Sequence, residues 1–307
     1  MRGAVAENEP LARHTTIRVG GPARVFALPE SEDDVVTALR WAEARGLSWR
    51  VIGLGSNLLC PDEGFDGLIL DLGRACGGVR FEGTRATVGA GVHLAPLIQA
   101  AAARGLSGLE GVAGVPGTVG GALAMNAGTS AGETGAVVER VRVVSPDGRI
   151  RELTAVEMAF AYRHSRLQDE PLVALGAVLR LTPSDPARVK QDLSERAVRR
   201  RQTQPLELPN AGSIWRNPPG DYAGRLVEAA GCRGFQCGQA QVSPRHGNFI
   251  VNLGQARARD VLAVMAEVRR RVAGHLGVVL HPEVRWLAGQ TELLSLLDRG
   301  PPPGDGG

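Results

Sequence analysis

The sequence is poor in aromatic rings. Phe, Trp and Tyr make up 4% of its 307 residues, so its core must be built from aliphatic side chains. Lysine is nearly missing. Lys190 is the only one among 35 Lys and Arg, with a net charge of +3. There is no long basic run, which argues against a nucleic-acid surface. Biased codon usage accounts for the arginines first, although a planar guanidinium also suits carboxylates and phosphates. The four cysteines, Cys60, Cys76, Cys232 and Cys237, include no CxxC pair. Neither a zinc ligand set nor a disulfide framework is expected, and free thiols in a reducing cytoplasm are the default reading. The start, "MRGAVAENEP", lacks an apolar segment of secretory type, and no uncharged apolar run approaches the ~20 residues of a membrane span.

Other absences concern chemistry. There is no P-loop, no H-E-x-x-H and no G-x-S-x-G, which leaves P-loop NTPases, zinc proteases and serine hydrolases unsupported. "GLGSNL" opens like a dinucleotide fingerprint, but Leu58 stands where its third glycine belongs. No metal site is expected.

What is abundant is glycine, 41 residues of it. "GLEGVAGVPGTVGGALAMNAG" places Gly108, Gly111, Gly114, Gly117 and Gly120 at every third position. The run is too short and too poor in proline for collagen, and too apolar for a linker. Two readings remain: backbone packed on backbone, or backbone laid against a ligand. The loop "GLGSN" at 53–57 is of the same physical type. Each exposes successive N–H groups with no large side chain in front, the arrangement that binds phosphate oxygens. Two such loops together favour a ligand.

The pattern along the chain is α/β. "ARVFALP" reads as a strand. "SEDDVVTALRWAEARG" reads as a helix capped by Ser31 and closed at Gly46, and "WRVIGLG" as a short buried strand. "ATVGAGV" and "PLVALGAVLRL" read as strands, and "LAPLIQAAAARG" as a helix. "VVERVRVVSPDGRIREL" is a hairpin turning at "SPDG". Thr154 and Glu157 form a capping box for a short helix, "TAVEMAFAY". A polar helix from Asp185 to about Gln202 leads to a last segment. That segment has a turn at "NAGSIWRNP", a helix at "AGRLVEAAG", strands "AQVS" and "NFIVN", a helix from Ala256 to His275, and a strand "VVLHPEVRWL". The tail "RGPPPGDGG" reads as disordered.

The segments "VGGPARVFALP", "VIGLGSNLL", "GVPGTVGGALAMNAG", "FAYRHSRL", "AGSIWRNP" and "HPEVRWLAG", in that order, resemble the UDP-N-acetylenolpyruvoylglucosamine reductase family over about residues 12–289. The resemblance implies a two-subdomain FAD-binding fold of the vanillyl-alcohol-oxidase/PCMH type, at 1–75 and 76–200. It further implies a C-terminal α/β substrate domain at 201–290 and a flexible tail at 291–307. It implies non-covalent FAD, NADPH as hydride donor and a UDP-sugar substrate in the cytoplasm. The oligomeric state stays open.

Arg163 of "YRHS" matches the family arginine beside the enolpyruvyl carboxylate. Ser213 of "AGSIWRNP" matches the proton-donating serine, and Glu283 of "HPEVRW" a glutamate near the same carbon. Standing alone, each would read as an ordinary surface or turn residue. For the cofactor the resemblance points to Gly53, Gly55, Ser56, Asn57 and Leu58, and to Gly114, Pro116, Gly117, Gly120, Gly121, Asn126 and Gly128. Val112, Val115 and Val119 are expected to pack behind the second loop. Replacing Gly117 or Gly120 with valine is expected to lose flavin before folding. Arg216, Asn217, Gln239, His246 and Asn248 are candidates for the UDP-sugar. Two departures from commoner family forms are "HTT" at 14–16 and Arg216 in place of lysine. A flavin-dependent oxidase of the same superfold and a non-catalytic UDP-sugar binder are the alternatives.

Overall fold

The computed structural model describes residues 1–299. The chain forms two compact units. The first takes Met1–Glu7, Val25–Leu54 and Asp66–Arg200; the second takes Asn8–Arg24, Gly55–Phe65 and the chain from Arg201 onward.

The first unit holds a four-stranded sheet in the order Ala4–Pro10, Pro22–Leu28, Phe65–Asp71, Ser48–Ile52. The last two strands are parallel, with Ile52 opposite Asp71. Helix α1 (Glu32–Glu43) begins where Ser31 adopts extended backbone and its Oγ accepts the Asp34 N–H at 3.2 Å. Its buried face is Val35, Ala38, Leu39 and Ala42, the spacing of a helix stripe facing a sheet. The buried strand expected at "WRVIGLG" forms as Ser48–Ile52, and only Ile52 of it is buried, because the strand lies at the sheet edge.

A five-stranded antiparallel sheet follows, in the order Ile150–Thr154, Val138–Val144, Val173–Arg180, Arg85–Gly89, Val79–Glu82. The "SPDG" hairpin is present, with the Gly148 N–H donating to the Ser145 carbonyl at 2.8 Å. Helices α2 (Leu94–Ala102) and α3 (Val119–Met125) add Leu97, Ala101, Ala122 and Leu123 to the aliphatic core of this unit. The expected helix at "TAVEMAFAY" does not form. The Thr154–Glu157 box makes its bonds, and the Met158 N–H reaches the Thr154 carbonyl, but Ala159 then turns to φ 48° and ends it after one turn. Helix α4 runs from Pro186 to Thr203.

The second unit has its own core, in which Ile17, Val19 and Leu59 join Trp215, Leu226, Val264 and Met265. Its sheet is antiparallel, in the order Asn210–Ser213, Phe249–Asn252, Ala240–Val242, Gln236–Cys237. Helices α5 (Ala223–Ala229) and α6 (Ala258–Leu276) pack with it. The early segments are tied in by polar groups. Asn252 Nδ2 donates to the Ile17 carbonyl at 2.9 Å, and the Asp62 carboxylate accepts the first N–H groups of α6 at 2.8 and 3.0 Å. The expected strand "VVLHPEVRWL" reduces to Arg285–Trp286, paired in parallel with Leu58–Leu59. Residues 290–299 are not a flexible tail. They form helix α7 (Gln290–Arg299), because Leu293 and Leu297 share a buried face against the second core. The rest of the expected disordered tail lies outside the described residues. Among the described residues no helix is long and apolar enough to cross a membrane.

All four thiols are free. Burial pushes Cys60 and Cys76 up to about 12 and raises Cys232. Only Cys237 is half-exposed. A thiol reagent at pH 8 should therefore modify Cys237 first and the other three only on unfolding, read by mass spectrometry of the labelled peptides.

Candidate active site

In the first unit the two glycine loops meet. A Cβ on Gly53 would lie 2.5 Å from Thr118 Oγ1. The triplet glycines divide by cause. A Cβ on Gly111 would lie 2.5 Å from the Gly132 carbonyl, and one on Gly120 would lie 3.2 Å from both the Cβ and the carbonyl oxygen of Ala90. Gly108 and Gly114 sit at φ +123° and +79°. The protein's own packing thus explains Gly108, Gly111, Gly114 and Gly120. Val112 and Val119 are buried behind the loop and Val115 packs on the same core.

The donors also divide. The N–H groups of Val119, Gly120 and Gly121 go to Val92 O, Ala90 O and Thr118 Oγ1. Among the described residues, those of Gly114, Gly117 and Thr118 reach no protein acceptor. A Cβ on Gly121 would meet nothing closer than Thr118 Oγ1 at 3.7 Å. Open amide donors beside a side-chain-free surface fit the phosphates of a dinucleotide. Pro116 lies in this exposed stretch.

Asn126 and Gly128, expected at the cofactor, have structural tasks here. Asn126 ends α3 at φ 41°. Its Nδ2 donates to Glu133 Oε2 (2.8 Å) and Ala161 O (3.0 Å), and its Oδ1 accepts the Gly135 N–H (2.8 Å). A Cβ on Gly128 would lie 2.4 Å from the Gly132 carbonyl. The Gly128 carbonyl accepts Arg163 Nη2 at 2.9 Å. Arg163 occupies a tight turn at φ 56°, with its guanidinium 4.8 Å from the Tyr162 ring centre.

In the second unit, Gly55 sits at φ +59° against the His14 carbonyl and Thr15 Cα, where no Cβ fits. Its carbonyl accepts the Thr16 N–H, so the "HTT" segment meets this loop. Asn57 Nδ2 donates to the Glu283 carbonyl (3.2 Å), and Asn57 O accepts the Arg285 N–H (2.9 Å). Leu58 pairs with Arg285. Asn57 and Leu58 therefore bind the segment 283–285.

Ser213 stands on a bulge. Asn210 faces Val251 and Ser213 faces Phe249, so three residue steps oppose two. Gly212, at φ +71°, absorbs the excess, and its N–H binds Asn210 Oδ1 at 3.0 Å. Among the described residues the Ser213 hydroxyl makes no hydrogen bond. The next residue, Ile214, accepts the Glu283 N–H at 2.8 Å, and the Arg216 N–H reaches the His281 carbonyl at 2.9 Å. This short antiparallel pairing sets the Glu283 backbone opposite Ile214, one residue after Ser213. Ser56 O lies 3.8 Å from the position of a Cβ on Gly212.

The substrate candidates differ. Arg216 has a buried Nε with no partner, the kind of atom a bound anion would satisfy. Gln239 is exposed. Asn217 Oδ1 accepts the Ala223 N–H at the start of α5 (3.0 Å). Asn248 Oδ1 and Nδ2 bracket the backbone of Trp215, both at 2.9 Å. His246 Nδ1 accepts the Asn248 N–H at 3.1 Å, so its proton sits on Nε2. Its ring stands edge-on to Phe249 at 4.8 Å. Among the described residues no His, Cys, Asp and Glu cluster could hold a metal.

Family models match in two parts. Residues 23–154 match the FAD binding domain, and residues 204–287 match the C-terminal domain of UDP-N-acetylenolpyruvoylglucosamine reductase. An FAD-binding domain joined to that second domain defines a flavin-dependent oxidoreductase. The reductase of Heliobacterium modesticaldum is 46% identical over 92% of this chain and 91% of its own length. That of Bacillus subtilis is 42% identical over 94% and 95%. The crystal structure of the Thermus caldophilus reductase superposes with a TM-score of 0.78 at 37% identity, covering 93% of this chain and 99% of that one. The chain belongs to the UDP-N-acetylenolpyruvoylglucosamine reductase family, an oxidoreductase family, and FAD is its cofactor.

Two measurements test this site. Burial lowers His246 below its usual value. The unfolded chain then holds more protons on His246 than the folded one between the two values. Stability should be full above about pH 6.5 and fall as pH drops below it. His246→Gln should flatten that slope in urea titrations. For the glycines, Gly111→Ala should destabilise by about 1–3 kcal/mol through overpacking. Gly121→Ala should fold at least as well as the parent yet release FAD more readily, read by flavin fluorescence. The expected order for Gly120→Val reverses, because its side chain meets Ala90 before any cofactor.

Proposed function

We propose that this chain reduces the enolpyruvyl group of UDP-N-acetylglucosamine enolpyruvate to the lactyl ether of UDP-N-acetylmuramate, with NADPH as reductant, in peptidoglycan precursor synthesis. The open amides of Gly114, Gly117 and Thr118 would hold FAD, which would supply the hydride-transfer chemistry between NADPH and the substrate. The protein's part is positioning, charge and proton supply. Hydride arriving at the methylene carbon drives negative charge onto the adjacent carbon and its carboxylate. Arg163 meets that charge with parallel N–H donors and cannot lose its own at working pH. Ser213 then delivers its proton to the carbon. An enolate is a strong base, so the hydroxyl needs placement more than acidity. Glu283, whose N–H binds the Ile214 carbonyl, orients the substrate or assists that transfer.

The observation carrying this reading is the bulge at Ser213, whose hydroxyl makes no hydrogen bond among the described residues, one residue before Ile214, where the Glu283 backbone pairs. Arg216, with its buried unpartnered Nε, is the best-supported partner for the UDP phosphates. Asn217 and Asn248 support the backbone around it. A UDP-sugar substrate and free thiols fit a cytoplasmic enzyme.

The test separates the half-reactions under anaerobic conditions. Ser213→Ala should let NADPH bleach the flavin at the parent rate. It should slow reoxidation by the enolpyruvyl UDP-sugar by about 10²–10⁴-fold, the range for a lost general acid. Reoxidation at the parent rate would remove Ser213 from the role.

A further inference from the structure

Arg163 holds a backbone conformation that arginine does not favour. At φ 56° it lies in the left-handed region, which a Cβ disfavours by crowding the following carbonyl. Such a residue persists only where its surroundings impose it, and a functional site is where this is found. The turn is closed by reciprocal bonds between Ala161 and His164, at 3.1 and 3.0 Å, with Tyr162 and Arg163 between them.

Two amide side chains grip this turn from outside. Gln168 Nε2 donates to the Arg163 carbonyl at 3.1 Å and to the Ala124 carbonyl, in the last turn of α3, at 2.6 Å. Ser165 Oγ binds the same Ala124 carbonyl at 3.0 Å. Asn126 Nδ2 donates to the Ala161 carbonyl at 3.0 Å, while its remaining bonds hold Glu133 and Gly135. The guanidinium is anchored through Nη2 on the Gly128 carbonyl. The turn is thus fixed at its first residue by Asn126, at Arg163 itself by Gln168, and at the tip of the side chain by Gly128. Fixing the carbonyl of a residue fixes its peptide plane, and so the direction in which its Cβ leaves the chain.

We propose that Gln168 and Asn126 are positioning residues that impose the left-handed turn at Arg163 and so aim its guanidinium at the substrate carboxylate. The proposal rests on the reading of Arg163 given above. Neither amide touches substrate; each acts through the backbone of the turn. A guanidinium free to swing would still carry its charge but would meet the developing enolate in a fraction of encounters. A misplacement of about 1 Å can slow a reaction about 100-fold.

The experiment is a double-mutant cycle read on half-reactions of the holoenzyme. Gln168→Met keeps the length of the side chain and removes its donors. It should retain FAD and accept hydride from NADPH at the parent rate. Reoxidation by the enolpyruvyl UDP-sugar should slow by about 10–100-fold. Asn126→Gly, which keeps a residue at ease at positive φ, should show the same split and guards against a folding defect in the first variant. Arg163→Gly relaxes the turn and removes the cation. With guanidinium ion added to restore charge, Gln168→Met in that background should change the single-turnover rate by less than about twofold.

Reoxidation at the parent rate in both amide variants overturns the proposal. So does an equal slowing with and without Arg163, or loss of FAD from both variants, since either would make the amides general supports of the fold. Parent-like reoxidation in Arg163→Gly would remove the role of Arg163 itself. A slow Arg163→Gly beside normal amide variants removes only the positioning role.

Discussion

The Glu283 N–H donates to the carbonyl of Ile214, and much of the second unit is arranged so that this bond can form. Residues 281–283 must lie antiparallel to 214–216, so each flank needs its own support. On one side Asn248 brackets the Trp215 backbone with its amide. On the other Asn57 holds the Glu283 carbonyl. The Asn210 carboxamide fixes the bulge before Ser213, accepting from Gly212 and donating to Pro205 and Leu208. Buried and half-buried amides of this kind are worth more as geometry than as energy. Each satisfied bond nets about 1 kcal/mol, but an unmade one in the interior costs the full desolvation of its group. The pairing is therefore specified rather than merely permitted.

The first unit solves a related problem with the same residue types. Its candidate cation sits on a turn whose backbone is disfavoured, and side-chain amides from α3 and from the segment after the turn hold it there. In both units the candidate chemistry lies where the backbone departs from regular structure. The bulge at Gly212 and the turn at Arg163 each sit next to a residue at positive φ or occupy one. Regular strands and helices supply the two aliphatic cores, and amide-bonded irregularities supply the directions of functional side chains.

The glycine-rich run shows how one composition can serve two physical ends. Gly111 and Gly120 are small because another part of the chain lies against them. Among the described residues no protein group accepts the amide hydrogens of Gly117 and Thr118, and a Cβ on Gly121 would meet only Thr118 Oγ1, at 3.7 Å. Close backbone packing and open amide donors are neighbours within a dozen residues, and the period of three serves neither as a whole.

The sequence alone determined the elements with strong local signals: α1 with its Ser31 cap, the "SPDG" hairpin, and the aliphatic strands and helices of both cores. Its motifs also resembled the family to which the chain belongs, although Arg163, Ser213 and Glu283 standing alone would read as ordinary surface or turn residues. Local signals failed where tertiary partners decide. The Thr154 box began a helix that Ala159 ended, and the start of a tail expected to be flexible formed α7, because Leu293 and Leu297 had a core to meet. Sequence could not show that residues 8–24 and 55–65 join the second unit, since the bonds to Asn252, α6 and Glu283 span about two hundred residues. Nor could it tell an amide that faces a ligand from one that braces a backbone. Asn126, Asn217 and Asn248 have the same side chain wherever they stand, and only the fold fixes which carbonyls and N–H groups come within its reach.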